Sequence, residues 1–423
     1  MRFLIVGLGS AGDVYPNIGV GVHLRRRGHQ VQLFAAPAFR ESAERAGLEF
    51  VPLGTEEDFR AAVEDPELWH PYRSFHAAAR RMVIPAVRPV YEALAERYVP
   101  GETVVAAPAA ALGARIAREK LGVPLATVHL QPVLIRSCYA TPVFGHPNPL
   151  RFMPRFLKRW HFRMVDALVI DRLLAPEVNA LRAELGLPPV RRVFHQWCHS
   201  PDLVLCLFPD WFAPPQPDWP PNTHLTGFPL YDDSGAKGTP PGLEPFLEAG
   251  DPPVVFTAGS AMAHAARFFE VSAEVCVRLG RRGVLVTQFP EQLPPRLPEG
   301  VRHFAYVPFG KLLPRAAAIV HHGGIGTTAQ AFAAGIPQLV VPLAHDQFDN
   351  ADRVRRLGAG RELAARRYTA DRVARDLSLL LDSPDYRERS RELSRRMSSD
   401  AAFETACDRL ESLARSPRPA ARH

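Results

Sequence analysis

The chain has 423 residues, 47% of them apolar and 22% charged, with a formal net charge of +7. That length holds two domains of about 100 to 200 residues, and that composition excludes a disordered chain. No run of roughly 18 apolar residues occurs, and the charge excess is arginine scattered over expected helix faces. A cytoplasmic protein with no nucleic-acid partner is therefore expected. Five cysteines without a CxxC pair predict neither a disulfide framework nor a zinc site, only small buried apolar side chains.

In chain order, "MRFLIVGLGS" opens on an apolar run at 3–7 that breaks into glycines without a small-residue cleavage site, so it reads as a buried strand and not a leader. "GSAGDVYP" follows, and then a helix of about ten residues is expected to begin near Pro16 and end at "RRRGH", with Gly28 as its C-cap. Asp13 in this turn has two readings, a helix cap or a carboxylate facing a ligand. The glycine spacing is not GxGxxG and no acid ends the next strand, so a dinucleotide fingerprint is rejected. Further strands are expected at 31–35, 103–107 and 125–130.

Residues 151–164, "RFMPRFLKRWHFRM", mix basic and large apolar side chains. They read as a solvated basic helix covering the core, with a membrane-surface helix as the alternative. From 209 to 253 proline and glycine crowd the chain, which suits neither helix nor strand interiors, and a linker is placed at 231–243. Strands then recur at 254–259, 283–288, 301–307, 317–322 and 337–343. Strands alternating with helical stretches on both sides of the linker predict an α/β protein of two doubly wound, Rossmann-like domains facing across a cleft. The first is expected at 1–230 and the second at 244–400, with a C-terminal helix and a frayed tail over 401–423.

The most informative stretch is "HHGGIGTTAQ", 321–330. A strand, a glycine turn and a helix N-terminus present free N–H groups and the positive end of the helix dipole to an anion. Phosphate is the natural guest, with His322 able to add a hydrogen bond; Thr327 either caps the helix or bonds a phosphate oxygen. Downstream, Asp346 and Gln347 pair an acceptor-only carboxylate with an amide, a combination suited to vicinal sugar hydroxyls.

Residues 305–351, "AYVPFGKLLPRAAAIVHHGGIGTTAQAFAAGIPQLVVPLAHDQFDNA", closely resemble the nucleotide-sugar signature of family 1 glycosyltransferases, which have the type B fold. The resemblance implies a donor site in which His322 contacts the diphosphate, Gly324, Gly326 and Thr327 bind phosphate, and Asp346 and Gln347 hold the sugar. Ser260 matches a phosphate-contacting serine of the family, its other reading being an ordinary turn residue. Phe309 replaces a usual glutamine and Tyr306 a usual base-stacking tryptophan, so nucleobase recognition falls to Tyr306 stacking and the Val307 backbone. Gln330 stands where a glutamate is usual and would bond a ribose hydroxyl without charge. "GSAGDV" is similar to a segment whose aspartate is proposed to activate the acceptor hydroxyl, here Asp13. An inverting transfer without cofactor or metal follows, the helix N-terminus and His322 taking the place of a cation.

For the acceptor, Trp69, Phe75, Phe144 and Phe152 occupy loop-like or helix-entry positions where the family binds acceptors, although aromatic residues at helical spacing also build cores. "DPELWHPYRSF", "APEVNALRAELGL" and "LTGFPLYD" resemble the rhamnosyltransferases of rhamnolipid synthesis. That likeness implies a dTDP-rhamnose donor, a lipid acceptor such as a hydroxy-fatty-acid dimer, and peripheral association with the inner membrane. The alternatives are a UDP-glucose-dependent enzyme for a sterol, macrolide or phenolic aglycone, and a non-catalytic nucleotide-sugar-binding subunit.

Overall fold

The computed structural model describes residues 1–145, 147–232 and 238–415. Among these residues thirteen strands form two wholly parallel sheets. In the first half lie β1 (Arg2–Val6), β2 (Gln30–Ala35), β3 (Glu49–Pro52), β4 (Thr103–Pro108), β5 (Leu125–His129), β6 (Leu203–Cys206) and β7 (Thr223–Leu225), in the order β3-β2-β1-β4-β5-β6-β7. In the second lie β8 (Val254–Thr257), β9 (Gly283–Val286), β10 (Val301–Phe304), β11 (Ala318–His321), β12 (Gln338–Val340) and β13 (Gly360–Glu362), in the order β10-β9-β8-β11-β12-β13.

Parallel strands are buried on both faces, which is why β1 is a continuous apolar run. Its alternate residues serve different cores: Phe3 and Ile5 pack into one cluster, Leu4 and Val6 into another on the opposite face. Strand order reverses between β1 and β4 in the first sheet and between β8 and β11 in the second. Ligands of doubly wound sheets bind at such switch points, beyond the carboxyl ends of the strands. "GSAGDV" follows β1 and "HGGIGTT" follows β11, so each motif stands at a switch point.

The helices that matter here are α1 (Ala11–Arg26), α2 (Arg155–Val165), α3 (Ile325–Ala334), α4 (Gln347–Arg356) and α5 (Ser399–Arg415). Several expectations need correcting. Helix α1 has 16 residues and starts at Ala11, so Pro16 lies inside it. Pro16 supplies no N–H to that turn, and Asn17 Nδ2 donates to the Asp13 carbonyl at 2.8 Å beside it. Gly28, at φ 86°, follows the C-cap Arg27. Strands β3, β6, β7 and β13 were not expected. Of these, β7 and a helix at Leu243–Glu248 sit inside the proline-rich stretch; β7 is a three-residue edge strand, where flanking prolines cost no ladder bonds. The proposed linker lies partly outside the described residues, as does most of the proposed tail. All five cysteines are free and buried.

Helix α5 returns to the first domain. Phe403 stacks on His23 with ring centroids 4.2 Å apart, Arg27 pairs with Asp408 at 2.7 Å, and His29 meets Glu411 at 2.9 Å. A second tie is apolar. Ile325, Phe332, Val340 and Val354 from the second domain share a core cluster with Phe3, Ile18 and Phe212 from the first. Among the described residues no helix is long and apolar enough to cross a membrane.

Candidate active site

Asp13 is the third residue of α1. Its Oδ2 accepts hydrogen bonds from the Ser10 N–H at 2.8 Å and the Ser10 hydroxyl at 3.1 Å. The carboxylate thus does cap the helix, from the third position back to its start, and both bonds fall on one oxygen. Gly9 makes room for this: at φ 125° it needs glycine, and a Cβ there would stand 2.3 Å from Asp13 Oδ2. Burial pushes the Asp13 pKa up to about 6, against the lowering effect of the Ser10 bonds.

On the other side of the cleft, the two adjacent histidines have different environments. His321 is fully buried at the end of β11. Its Nδ1 accepts from the Gly323 N–H at 3.1 Å, so its Nε2–H donates to Gln338 Oε1 at 3.0 Å. Both ring nitrogens are spent on holding the turn. His322 is half-buried, and its Nδ1 has no hydrogen-bond partner among the described residues. Its ring lies in a slot between two glycines, where a Cβ on Gly259 would come within 2.8 Å of Cε1 and one on Gly324 within 2.4 Å of Nε2. Burial pushes the His322 pKa down to about 4, so near neutral pH the imidazole is uncharged and has one N–H to donate.

Gly324 is the N-cap of α3, and Thr327 is its third residue rather than the cap. Thr328 turns inward and donates from Oγ1 to the Gly324 carbonyl at 3.0 Å. The first N–H groups of α3 therefore remain for an anion, with the Thr327 hydroxyl beside them. The Cα of Gly12 in α1 lies 3.6 Å from a Cβ placed on Gly326, so the N-termini of α1 and α3 meet across the cleft.

Asp346 precedes α4 and its Oδ2 accepts from Asn350 Nδ2 at 2.7 Å. Burial, with the Asp13 carboxylate acting in the same direction, pushes its pKa up to about 7. Gln347 is buried, and its Oε1 accepts from the N–H groups of Leu343 and Ala344 at 2.8 and 3.0 Å. Only its amide Nε2 is left to face a ligand. Ser260 is exposed beyond β8, Tyr306 is half-buried beyond β10, and Gln330 is half-buried on α3. The Val307 side chain sits in the core, which leaves its backbone for recognition.

Two family models match the chain. One, the glycosyltransferase family 28 N-terminal domain, covers residues 3–140; the other, the erythromycin biosynthesis protein CIII-like C-terminal domain, covers 266–413. O-mycaminosyltylonolide 6-deoxyallosyltransferase of Streptomyces fradiae is 32% identical over 435 aligned positions, covering 97% of each chain. The chain belongs to the bacterial family 1 glycosyltransferases of type B fold. Among solved structures, the glycotransferase of kitacinnamycin aligns with a TM-score of 0.73 at 22% identity, over 98% of this chain and 99% of that one. Spinosyn rhamnosyltransferase complexed with thymidine diphosphate aligns at 0.64 and 21%, over 96% and 100%. As a glycosyltransferase the protein moves a sugar from a nucleotide sugar.

The glycosyltransferase places its acceptor candidates unevenly. Trp69 lies at the domain interface, its ring edge-on to His345 at 5.9 Å. Phe75 packs edge-on to Phe194 in a helical core cluster. Phe144 is 50% exposed and Phe152 86% exposed, so both face solvent.

Three residues were missed in the sequence. His345 has φ 57°, a conformation costing a non-glycine residue about 1 kcal/mol or more, immediately before Asp346. Asn350 Nδ2 bridges Asp346 to the Gly323 carbonyl at 2.9 Å, joining the start of α4 to the glycine turn before α3. Asp349, fully buried, accepts from the Val143 N–H at 3.0 Å and from Arg353 Nε at 2.7 Å; Arg353 also donates to the Phe212 carbonyl at 2.9 Å. The four-residue spacing of Asp346 with Asn350, and of Asp349 with Arg353, was the available signal. Asp349→Ala leaves a mostly buried guanidinium without its carboxylate and frees the Val143 loop. It is expected to cost on the order of 3 kcal/mol, measured as a lowered urea midpoint.

Proposed function

We propose that the enzyme inverts configuration at the anomeric carbon, works without a metal, and transfers rhamnose from dTDP-rhamnose to the hydroxyl of a lipid acceptor such as a hydroxy-fatty-acid dimer. The observation carrying the transfer step is the meeting of the two helix starts across the cleft: Asp13, whose Oδ1 takes no part in the Ser10 bonds, follows Gly12, and the Gly12 Cα lies 3.6 Å from a Cβ placed on Gly326 in the first turn of α3. Asp13 takes the proton of the acceptor hydroxyl as that oxygen attacks the anomeric carbon. The bond to the departing diphosphate breaks on the opposite side, and the α3 N–H groups and His322 receive its negative charge. Asp346, Asn350 and Gln347 hold the sugar. Tyr306 and the Val307 backbone take the base, Gln330 the ribose and Ser260 a phosphate oxygen.

The thymidine diphosphate in the spinosyn rhamnosyltransferase, and that protein's name, support the donor. An apolar acceptor is supported by the exposed aromatic residues Tyr139, Phe144 and Phe152 on the acceptor half, and it would bring the enzyme to a bilayer. A second reading, an already assembled macrolide or phenolic aglycone as acceptor, is favoured by the name of the Streptomyces fradiae relative.

The test is incubation of the purified protein with dTDP-rhamnose or UDP-glucose, each with a hydroxy-fatty-acid dimer or a macrolide aglycone. Nucleoside diphosphate release and the anomeric configuration of the product are followed. Release only with dTDP-rhamnose and the lipid is expected. Release only with the aglycone selects the second reading, and binding without release under every combination identifies a non-catalytic subunit.

A further inference from the structure

Helix α2 presents its large apolar residues outward. Phe152 in the preceding turn, then Phe156, Trp160, Met164 and Leu168, are 86, 70, 60, 38 and 45% exposed. Phe156, Trp160 and Met164 recur every fourth residue within α2 and so share one stripe, with Phe152 exposed just before the helix and Leu168 just after it. Each of the first four follows an arginine, Arg151, Arg155, Arg159 and Arg163, all exposed, which sets a cationic stripe directly beside the apolar one. No acidic residue occurs from 151 to 165.

The inner face of the helix has the reverse character. Lys158 is buried with its ammonium directed to the Arg151 carbonyl at 3.4 Å, Phe162 lies under the Arg136 guanidinium at 4.7 Å, and Asp166 turns inward to pair with Arg136 and His195. A helix that only covered a core would point Phe156 and Trp160 inward and Lys158 outward. Beside the stripe an open groove of about 630 Å³ is lined by Tyr139, Pro154, Arg155, Phe156 and Arg159, with Arg155 over the Tyr139 ring at 4.7 Å.

We infer that α2 and the turn before it form a docking surface for an anionic bilayer, with the arginines at the headgroups and Phe152, Phe156 and Trp160 in the acyl boundary. Apolar side chains flanked by unopposed cations match that layered chemistry. A second copy of this chain fits less well, because a twofold contact would set the arginine stripe against itself. The inference rests on the lipid-acceptor reading for its purpose, but it is measured without turnover.

The full chain is sedimented with vesicles of phosphatidylcholine alone and of phosphatidylcholine with an equal part of phosphatidylglycerol. Binding to the anionic vesicles only is expected. Phe156→Ser with Trp160→Ser, and separately Arg159→Glu with Arg163→Glu, are each expected to weaken it at least about tenfold. Nucleotide-sugar binding by the other domain, unchanged in both variants, shows that the fold is intact. No binding by the wild-type chain, equal binding to neutral vesicles, or binding indifferent to both variants would overturn the inference. So would a solution dimer dissolved by the same substitutions with no vesicle affinity. Vesicle binding with no transfer to lipid would instead count against the acceptor reading alone.

Discussion

Asp13→Asn is expected to lower the rate of transfer by about a hundredfold to ten-thousandfold while leaving donor affinity within about twofold. The amide keeps the size of the carboxylate, and its oxygen still accepts from Ser10, so the start of α1 is preserved. What it loses is the oxygen free to take a proton. The glycine turn before α3 is untouched, so isothermal titration with the nucleotide sugar should show little change. The wild-type rate should also rise with pH through about 6, because burial holds the Asp13 carboxyl protonated below that value and a protonated carboxyl is no base. A flat profile between pH 5 and 8, or an Asn variant at wild-type rate, would remove Asp13 from proton transfer and leave it as a helix cap.

His322→Ala should reduce kcat by about a hundredfold to a thousandfold, the range for removing one preorganised donor from a developing negative charge. The imidazole is uncharged near neutral pH, since burial depresses its pKa to about 4. The loss is therefore of a directed hydrogen bond, and His322→Gln should restore part of it. Gly324→Ala should be nearly as damaging, because its Cβ would come within 2.4 Å of Nε2 and drive the ring from its slot. Steady-state kinetics separates the outcomes: a rise in donor KM with kcat unchanged would mean that His322 binds the ground state only. His321→Ala, by contrast, should show its largest effect in thermal stability, because that ring spends both nitrogens on Gly323 and Gln338.

Much of the site was legible because its chemistry is local in sequence. The strand–glycine–helix pattern of 317–330 predicts an anion cradle whatever surrounds it, and the spacing to Asp346 is short. A strand's alternation alone does not say which of the two histidines ends with a free nitrogen; the structure ties up both nitrogens of His321 and leaves Nδ1 of His322 without a partner among the described residues. Less was legible where partners are distant. The Val143 N–H that meets Asp349 is 206 residues away in sequence, and His345 takes its positive φ beside a tryptophan from the other domain. The start of α1 was misplaced because Pro16 resembles a first-turn proline, whereas here Ser10 and Asp13 secure the helix start five residues earlier.

Two parallel α/β halves, the glycine turn after β11 and the carboxylate after β1 were readable from the residues alone, since each depends on patterns spanning a few positions. The tertiary structure alone decided that α5 crosses back onto the first domain, that α1 and α3 meet end to end at Gly12 and Gly326, and that α2 turns Phe156 and Trp160 outward. Those outcomes depend on which surfaces bury which. A helix with apolar residues on one stripe and cations on the next can be docked by either face, and it is docked here with Phe162 under Arg136 and Asp166 paired to Arg136 and His195.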